Sequence, residues 1–347
     1  MTTIPTPRKP WAATPKDRLR DLLVLAAAVI VTYYFVEFSP MNGKLAYFAI
    51  FFLVYATFTG LYQGVTRGSA GAKDAVVSSL VVVGAVATLI PIGSILATVI
   101  SKGYKGISFN LFKSDMSMAT PTDPLTNGGI LHAITGTLIM VIIALIISVP
   151  LGILTALYMT EIKGRFMRPI KFLVQAMSGV PSIVAGLFIL SAVLYPITKQ
   201  YSGFMGALAL SILMIPTIAR TSEEVLLLIP SDLREAGVAL GGTQWRTVAM
   251  IVLPAARSGL ITAMILGVAR IAGETAPLLL LTGGGDKVNG NPFSGPFGSL
   301  PYYIWKSFNA GSEEAITRAW AGLLVLIVVI LILFISARSL SSRKVKR

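Results

Sequence analysis

The 347-residue sequence contains no cysteine and only one histidine, His132. Without thiols the chain cannot form a disulfide or a thiolate metal site, and one imidazole cannot build a histidine metal cluster. Charged side chains are also scarce, at 13% of the residues, whereas soluble domains carry about 25%. These shortages exclude thiol redox chemistry, and we expect neither a metal site nor a cofactor.

Long apolar runs are abundant instead. Hydrophobic residues make up 54% of the sequence and the mean hydropathy is +0.78. A helix of about 20 apolar residues crosses a bilayer core roughly 30 Å thick. Eight runs fit, at about 21–38, 45–65, 75–100, 130–159, 171–197, 204–229, 248–282 and 316–338. The sequence therefore predicts an all-α, polytopic protein of the cell membrane with about eight transmembrane helices.

The basic residues indicate how the chain is oriented in the membrane. Most lie in the N-terminal segment, near residues 163–171, in the loop at 230–254 and at the C-terminus. Because cytoplasmic loops are enriched in Lys and Arg, both termini and that loop are expected to be cytoplasmic. The formal charge of +14 is divided among short loops and termini, so we do not expect nucleic acid as a partner.

The composition changes along the chain and divides it into segments. These are a disordered cytoplasmic N-terminus at 1–20, an accessory pair of transmembrane helices at 21–66, a main transmembrane body at 75–338 and a basic cytoplasmic tail at 339–347. A linker rich in Gly, Ala and Ser follows Arg67. The first two spans therefore look separate from the six that follow.

The loop at 230–254 carries a spaced motif between two apolar runs. Its members are Glu235, Ala236, Gly237, Gly241, Ile251, Leu253 and Pro254. The pattern predicts a short helix that Ser231 or Asp232 caps and that Gly241 and Gly242 end. The spacing resembles the coupling-helix (EAA) loop of binding-protein-dependent ABC importers, with Gly237 standing where alanine is usual.

Three further strings support a narrower resemblance. GGILHAITGTLIMV (128–141), PLGILTALYMTE (150–161) and GVPSIVAGLF (179–188) resemble permease subunits of the phosphate-specific ABC importer. IAGETAPLL, at 271–279, is closer to the A-type subunit than to its C-type partner. The resemblance covers about residues 75–338 and implies the type I ABC importer permease fold, with six core helices plus two at the N-terminus.

The resemblance also implies partners. They are a dimer of a separate ATP-binding subunit, a second phosphate permease of the C type, an extracytoplasmic phosphate-binding protein, and inorganic phosphate as substrate. In such a complex Glu235, Ala236, Gly237, Gly241 and Arg234 are the candidate ATPase-coupling residues. Small side chains allow close approach, and Arg234 and Glu235 offer polar contacts at the rim. No GxxxxGK[ST] motif occurs, so the subunit itself is not expected to bind ATP by a P-loop or to be an enzyme.

Candidate residues of the substrate pathway are the charges inside predicted spans. Arg270 and Glu274 are four residues apart, which predicts one helix face, and Arg270 lies roughly 24 Å along the helix from Pro254. A charge at that depth costs on the order of 2.5 to 3.5 kcal/mol, and the guanidinium fork suits phosphate oxygens. The alternative is an ion pair that only clamps helices. Arg220 either forms a local ion pair with Glu223 or Glu224 or lines the cytoplasmic mouth.

Other functions remain open from the sequence. An ABC permease for sulfate or molybdate would keep the coupling loop and change the residues around Arg270. A self-contained ion-coupled carrier or channel could use Arg270 and Glu274 as a relay, although it has no use for a coupling loop. A membrane-embedded hydrolase is disfavoured, because one histidine leaves few general bases. The aromatic segment from Tyr302 to Phe308 predicts a short interfacial helix.

Overall fold

The computed structural model describes residues 15–41 and 43–342, with the side chains of residue 19, of 21–41 and of 43–339. Its α-helices are α1 (Pro15–Glu37), α2 (Lys44–Gly103), α3 (Phe109–Lys113), α4 (Leu131–Leu157), α5 (Met167–Ser178), α6 (Ser182–Ile189), α7 (Gly203–Leu227), α8 (Ser231–Ala239), α9 (Gln244–Thr247), α10 (Leu253–Ile271), α11 (Ala276–Leu281), α12 (Leu300–Ala310) and α13 (Glu313–Ser342). Within the described ranges there is no strand. The predicted all-α class is confirmed.

Three segments widen into π-helical turns, in which each N–H binds a carbonyl five residues back. They are Tyr158–Ile162 after α4, Leu190–Thr198 after α6 and Val248–Val252 between α9 and α10. The first two end at lysines with left-handed backbone, Lys163 (φ 50°) and Lys199 (φ 54°). The chain leaves the helix at those two points.

Helix α2 folds back on itself at Gly68, whose backbone is not helical (φ 74°, ψ −169°). Small residues line the hairpin. A Cβ added to Gly60 would lie 3.1 Å from Val76 Cγ2, and one added to Gly64 would lie 3.4 Å from Ala72 Cβ. Such close contact between small residues is a common way to pack membrane helices. The predicted spans 45–65 and 75–100 are therefore the two arms of one hairpin.

The chain divides into two compact units, one up to Leu96 and one from Ala97 onward. This boundary differs from the predicted one between the accessory pair (21–66) and the body (75–338), because the third predicted span packs in the α2 hairpin. Helix α1 begins at Pro15, inside the segment predicted to be disordered. The rest of that segment, and the predicted basic tail after Ser342, lie outside the described residues.

Among the described residues, five helical segments are long and apolar enough to cross a membrane, or six if α5 and the segment after it count as one bent span. They are Lys44–Gly106, Leu131–Ile162, Gly203–Leu227, Gln244–Ile271 and Glu313–Ser339. The first contains the fold at Gly68 and so covers two predicted spans. Helix α1 does not meet the same measure over its described residues. A total of eight spans stays a prediction.

Helices α4 and α7 share the largest interface of the second unit, and α10 and α11 complete its core. Glycines allow the helix axes to approach closely. A Cβ on Gly152 of α4 would lie 2.7 Å from Ile218 Cγ2, and one on Gly267 of α10 would lie 2.9 Å from Met214 Cε. Because lipid gives little hydrophobic drive for helix association, this packing of small residues is a principal source of stability.

Two predicted spans are broken. The span predicted at 171–197 bends by 106° between α5 and α6, just before Pro181. The span predicted at 248–282 is interrupted at residues 272–275, between α10 and α11. Proline has no N–H and disfavours helical backbone at the residue before it, and Pro181 and Pro277 stand at the starts of α6 and α11. Neither predicted span is one continuous helix.

At the end of the bundle opposite α8, Arg318 holds the long loop between α3 and α4. Its side chain is 1% exposed. Its Nη2 donates to the backbone carbonyls of Asp123 at 3.0 Å, Pro124 at 2.7 Å and Asn127 at 2.7 Å. The irregular loop is therefore fixed to the start of α13.

A second contact joins this loop to the one between α11 and α12. The Asp115 carboxylate accepts from the backbone N–H of Val288 at 3.0 Å and from the Ser117 hydroxyl at 2.6 Å. Burial acts to raise the pKa of Asp115, but these hydrogen bonds and the Ser117 N–H lower it below its ordinary value. The two loops form one surface. Helix α12, which is the short aromatic helix predicted from Tyr302 to Phe308, completes it.

Candidate coupling loop and substrate path

Helix α8 forms where the motif predicts a coupling helix. It begins at Ser231 directly after Pro230, and no side chain caps it. The prediction that Ser231 or Asp232 is the N-cap is therefore wrong: Ser231 is already helical and its hydroxyl donates to Asp232 at 3.3 Å. The proline supplies the extended backbone at which the helix starts.

The end of α8 is a Schellman motif, in which glycine takes the left-handed position after the last turn. Gly241 has φ 83° and donates to the Val238 carbonyl at 2.9 Å. Gly242 donates to the Gly237 carbonyl at 3.2 Å. The predicted stop at Gly241 and Gly242 is confirmed, and the spacing of the motif glycine follows from this geometry.

Gly237, the departure from the usual motif, faces the returning limb of the loop. A Cβ there would lie 2.6 Å from Thr247 Cγ2 and 2.8 Å from Ile251 Cδ1. Thr247 and Ile251 would have to move to admit even alanine. Helix α8 therefore lies unusually close to the segment that leads into α10.

The sequence predicts a polar contact of Arg234 at the rim, but the Arg234 side chain points into the protein. Its Nε donates to both oxygens of Glu161 at 3.1 and 3.0 Å, and its Nη2 donates to Glu161 Oε1 at 2.8 Å. The guanidinium also donates to the carbonyls of Leu226 at 2.9 Å and Ile229 at 2.6 Å. One side chain thus ties α8 to the π turn after α4 and to carbonyls within and just beyond the last turn of α7.

Gln244 adds a second tie to the same point, because its Nε2 donates to the Glu161 carbonyl at 2.7 Å. The Glu161 side chain is only 7% exposed. We call Glu161, Arg234 and Gln244 the Glu161 clamp. Neither Glu161 nor Gln244 is a predicted coupling residue. The available signal was a carboxylate at the end of an apolar span, with arginine-bearing loops on the same side.

The outward face of α8 combines apolar and acidic groups. Glu235 and Ala236 are exposed, and so are Leu233, Val238 and Leu240, the last at 88%. A cleft of about 790 Å³ opens beside α8 and includes Glu235 and Val238 in its lining. This face has the chemistry of a docking surface for a protein partner, because apolar side chains are available to bury.

Arg270 and Glu274 do not share a helix face, contrary to the prediction. Helix α10 ends at Ile271, and Glu274 lies in the break before α11, where its N–H donates to the Ile271 carbonyl at 3.1 Å. Among the residues that the structure describes, no ion pair joins Arg270 to Glu274 or to any other carboxylate. The Arg270 side chain is exposed, one residue before α10 ends.

Arg220 forms the local ion pair that the spacing predicts, with Glu224 at 3.7 Å. Glu223 instead pairs with Lys171 of α5 at 2.7 Å. Two glycine contacts show how α10 and α7 align along the axis of the bundle: Gly267 lies near Met214, and Gly259 lies near Val225. They place Arg220 roughly two turns nearer to α8 than Arg270. The two arginines lie at different depths of the bundle.

Comparison with known proteins identifies the family. The model of the binding-protein-dependent transport system inner membrane component matches residues 148–346. The phosphate transport system permease protein PstA 1 of Mycobacterium tuberculosis (strain ATCC 25618 / H37Rv) is 37% identical over 259 residues, which are 74% of this chain and 84% of the relative. PstA of Pasteurella multocida (strain Pm70) is 38% identical over 255 residues, 73% of this chain and 88% of the relative.

A solved structure supports the fold. The MetNI methionine ABC transporter, in inward-facing conformations, is similar with a TM-score of 0.50 and 19% identity over 61% of this chain and 93% of that chain. This likeness and the apolar helices confirm the predicted ABC importer permease fold of a multi-pass membrane protein. On these matches the chain belongs to the binding-protein-dependent inner membrane components and, within them, to the PstA family of phosphate transport system permease proteins.

Proposed function

We propose that this chain is the permease subunit of an ATP-driven importer of inorganic phosphate. The similarity to PstA proteins over more than four fifths of their length carries the proposal. The unpaired Arg270, set in an apolar helix, supports it chemically. A guanidinium donates two parallel hydrogen bonds to a tetrahedral oxyanion, and water in the path would keep the free arginine solvated between transport cycles.

ATP binding and hydrolysis belong to a separate ATPase dimer that docks on α8. Glu235 and Ala236 lie on its exposed face, and Gly237 and Gly241 let the helix fold closely against the returning limb. The Glu161 clamp is a positioning device in this proposal. It makes α8 move together with α4 and α7, so a displacement of α8 by the ATPase reaches the two helices at the centre of the bundle.

The break between α10 and α11 forms this subunit's part of the phosphate path. Irregular backbone within membrane spans is tolerated where it packs in protein or lines a water-filled cavity. Arg270 binds the anion beside that break, and Arg220 meets it nearer to the cytoplasm. A second permease of the C type supplies the other half of the path. An external phosphate-binding protein delivers phosphate at the α12 end, and both termini are cytoplasmic.

The test uses the transporter purified with its copurifying subunits and reconstituted in liposomes. We expect ATP-dependent uptake of labelled phosphate. Excess unlabelled phosphate should abolish this uptake, whereas an equal excess of sulfate or molybdate should change it by no more than about twofold. Competition by sulfate or molybdate as strong as that by phosphate would contradict the proposed substrate. Uptake without an ATPase subunit would contradict the ATP-driven mechanism.

Glycine substitutions in the coupling loop are expected to uncouple the transporter. Gly237→Leu overpacks the contact with Thr247 and Ile251, at a cost of about 1 to 3 kcal/mol. Gly241→Leu puts a side chain in left-handed backbone, at about 1 to 2 kcal/mol. Both should lower phosphate uptake at least fivefold while the subunits still copurify. Gly84→Leu is the control, because Gly84 is an exposed residue of α2 with open space around its Cβ. Normal uptake by both loop variants would show that this close packing is dispensable.

A further inference from the structure

Helix α5 lies against the bundle at the same end as α8. Lys171 of α5 pairs with Glu223, one turn before the end of α7, and Val174 is buried. The segment after α5, Ser182–Thr198, is bent from it by 106°. Those 17 residues reach about 25 Å as a helix, which is most of the bilayer core. A helix nearly perpendicular to a span lies along the membrane surface.

The exposed part of α5 is divided lengthwise into two stripes. Arg168, Lys171 and Gln175 follow one another at helical spacing and form a polar, cationic stripe. At 100° per residue, the neighbouring stripe consists of four exposed apolar residues, Pro169, Phe172, Leu173 and Ala176. Phe172 and Leu173 are its largest members, 72% and 57% exposed. The third side of the helix packs on α7. Adjacent apolar and cationic stripes are the pattern of a helix that lies in a membrane interface.

The cations of this segment are largely without counter-charges. From Lys163 to Ser178 the sequence has four basic residues and no acidic one. Lys171 has Glu223, whereas Arg165 and Arg168 have no carboxylate partner within the described part of the chain. The Arg165 guanidinium instead lies 4.7 Å from the centre of the Phe166 ring, and Phe166 is 52% exposed. Paired aromatic and guanidinium groups suit the level of lipid headgroups.

We propose that α5 is a binding surface for anionic phospholipids of the leaflet on the α8 side. The apolar stripe with Phe172 and Leu173 contacts the upper acyl chains, and Arg165 and Arg168 bind headgroup phosphates and acidic headgroups. Each basic residue near an anionic surface adds about a fivefold preference for it. Since α5 is tied to α7 through Lys171 and Glu223, bound lipid also fixes the position of α5 against the coupling end of the bundle.

The test places a reporter on the apolar stripe. The transporter, with its copurifying subunits, carries Phe172→Trp and is reconstituted with lipids whose acyl chains are brominated, either phosphatidylglycerol or phosphatidylcholine. Bromine quenches tryptophan on contact, and subtraction of the signal of the unsubstituted protein removes the four native tryptophans. We expect brominated phosphatidylglycerol, diluted in unlabelled phosphatidylcholine, to quench Trp fluorescence from position 172 at least fivefold more effectively than brominated phosphatidylcholine.

Removal of the cations should abolish this preference. Adding Arg165→Gln and Arg168→Gln to the reporter is expected to lower it by up to about 25-fold, two steps of fivefold. If the double variant fails to assemble, Arg168→Gln alone replaces it and is expected to lower the preference for phosphatidylglycerol about fivefold. Lys287→Gln makes the same charge change in an exposed loop at the opposite end of the bundle and should leave the preference intact.

Each contrary result overturns the proposal. No quenching by either lipid would mean that protein covers the stripe, and equal quenching by both would mean that the surface ignores headgroup charge. An unchanged preference in the arginine variants would place the source of any selectivity elsewhere. The measurement needs neither phosphate nor ATP, so it is independent of the outcome for import.

Discussion

Arg270→Lys is expected to lower ATP-driven phosphate uptake about 10- to 150-fold, although it keeps the positive charge. An ammonium group cannot reproduce the two parallel hydrogen bonds of a guanidinium. The loss of one charge-assisted bond costs about 1.5 to 3 kcal/mol, which corresponds to that range. Uptake of labelled phosphate by the reconstituted transporter is the measurement. Arg257→Lys, the same change at an exposed position nearer to α8 on the same helix, should have no comparable effect.

A double substitution separates substrate binding from a helix clamp. If Arg270 binds phosphate, Arg270→Gln with Glu274→Gln should remain inactive while the subunits still copurify. If the two charges only compensate each other in another conformation, removing both should be nearly harmless, because the cost arises from leaving one of them unpaired. Wild-type uptake by the double variant would therefore end the assignment of Arg270 to the phosphate path.

Glu161→Gln is expected to separate ATP hydrolysis from transport. The change keeps the shape of the side chain but leaves the Arg234 guanidinium, 26% exposed, without its counter-charge. The loss of hydrogen bonds to a charged group, about 1.5 to 3 kcal/mol, should loosen α8 from α4. We expect phosphate uptake to fall at least tenfold while ATP hydrolysis by the assembled complex stays within about twofold of its normal rate.

Graded variants distinguish this coupling role from simple stabilisation. Arg234→Lys should be intermediate, because one ammonium cannot serve both Glu161 and the carbonyls of α7. Gln244→Ala should be mild, since it removes one neutral hydrogen bond of about 0.5 to 1.5 kcal/mol. Asp232→Asn, an exposed carboxylate on the same helix, is the matched control. A proportional fall of uptake and hydrolysis, or loss of the ATPase on purification, would show that the Glu161 clamp only maintains the fold.

The regular parts of this fold could be predicted from the sequence because their signals are local. The apolar runs at 130–159 and 204–229 correspond closely to α4 with its π turn and to α7. The end of α8 followed from glycines that reach a backbone angle other residues avoid. Pro230 stands where the predicted loop begins, and its extended backbone, not a capping side chain, starts α8. The assignment of a cap to Ser231 was wrong for that reason.

The breaks and long-range contacts could not be predicted in the same way. Residues 272–275 lie in an apolar stretch whose hydropathy is as suitable for one long span as for two helices. Pro277 lies within the motif at 271–279, and because it has no N–H it leaves the preceding turn without one helical hydrogen bond. The Glu161 clamp joins residues 73 positions apart, so only the packing of α4 against α7 brings them together. The pairing of the two arms of the α2 hairpin likewise depends on tertiary packing, which the local sequence does not show.

The π turn at Val248–Val252 bears on how this loop can change by insertion and deletion. A π turn accommodates one residue more than the α-helical turn that it replaces. A chain one residue shorter here would close this turn as ordinary α-helix and leave α9 and α10 facing nearly as they do now. One residue fewer within α10 itself would instead rotate the preceding helix by about 100° against the rest of α10 and carry Gln244 away from Glu161. Between α9 and α10, the π turn is therefore the place where a change of length by one residue is best tolerated.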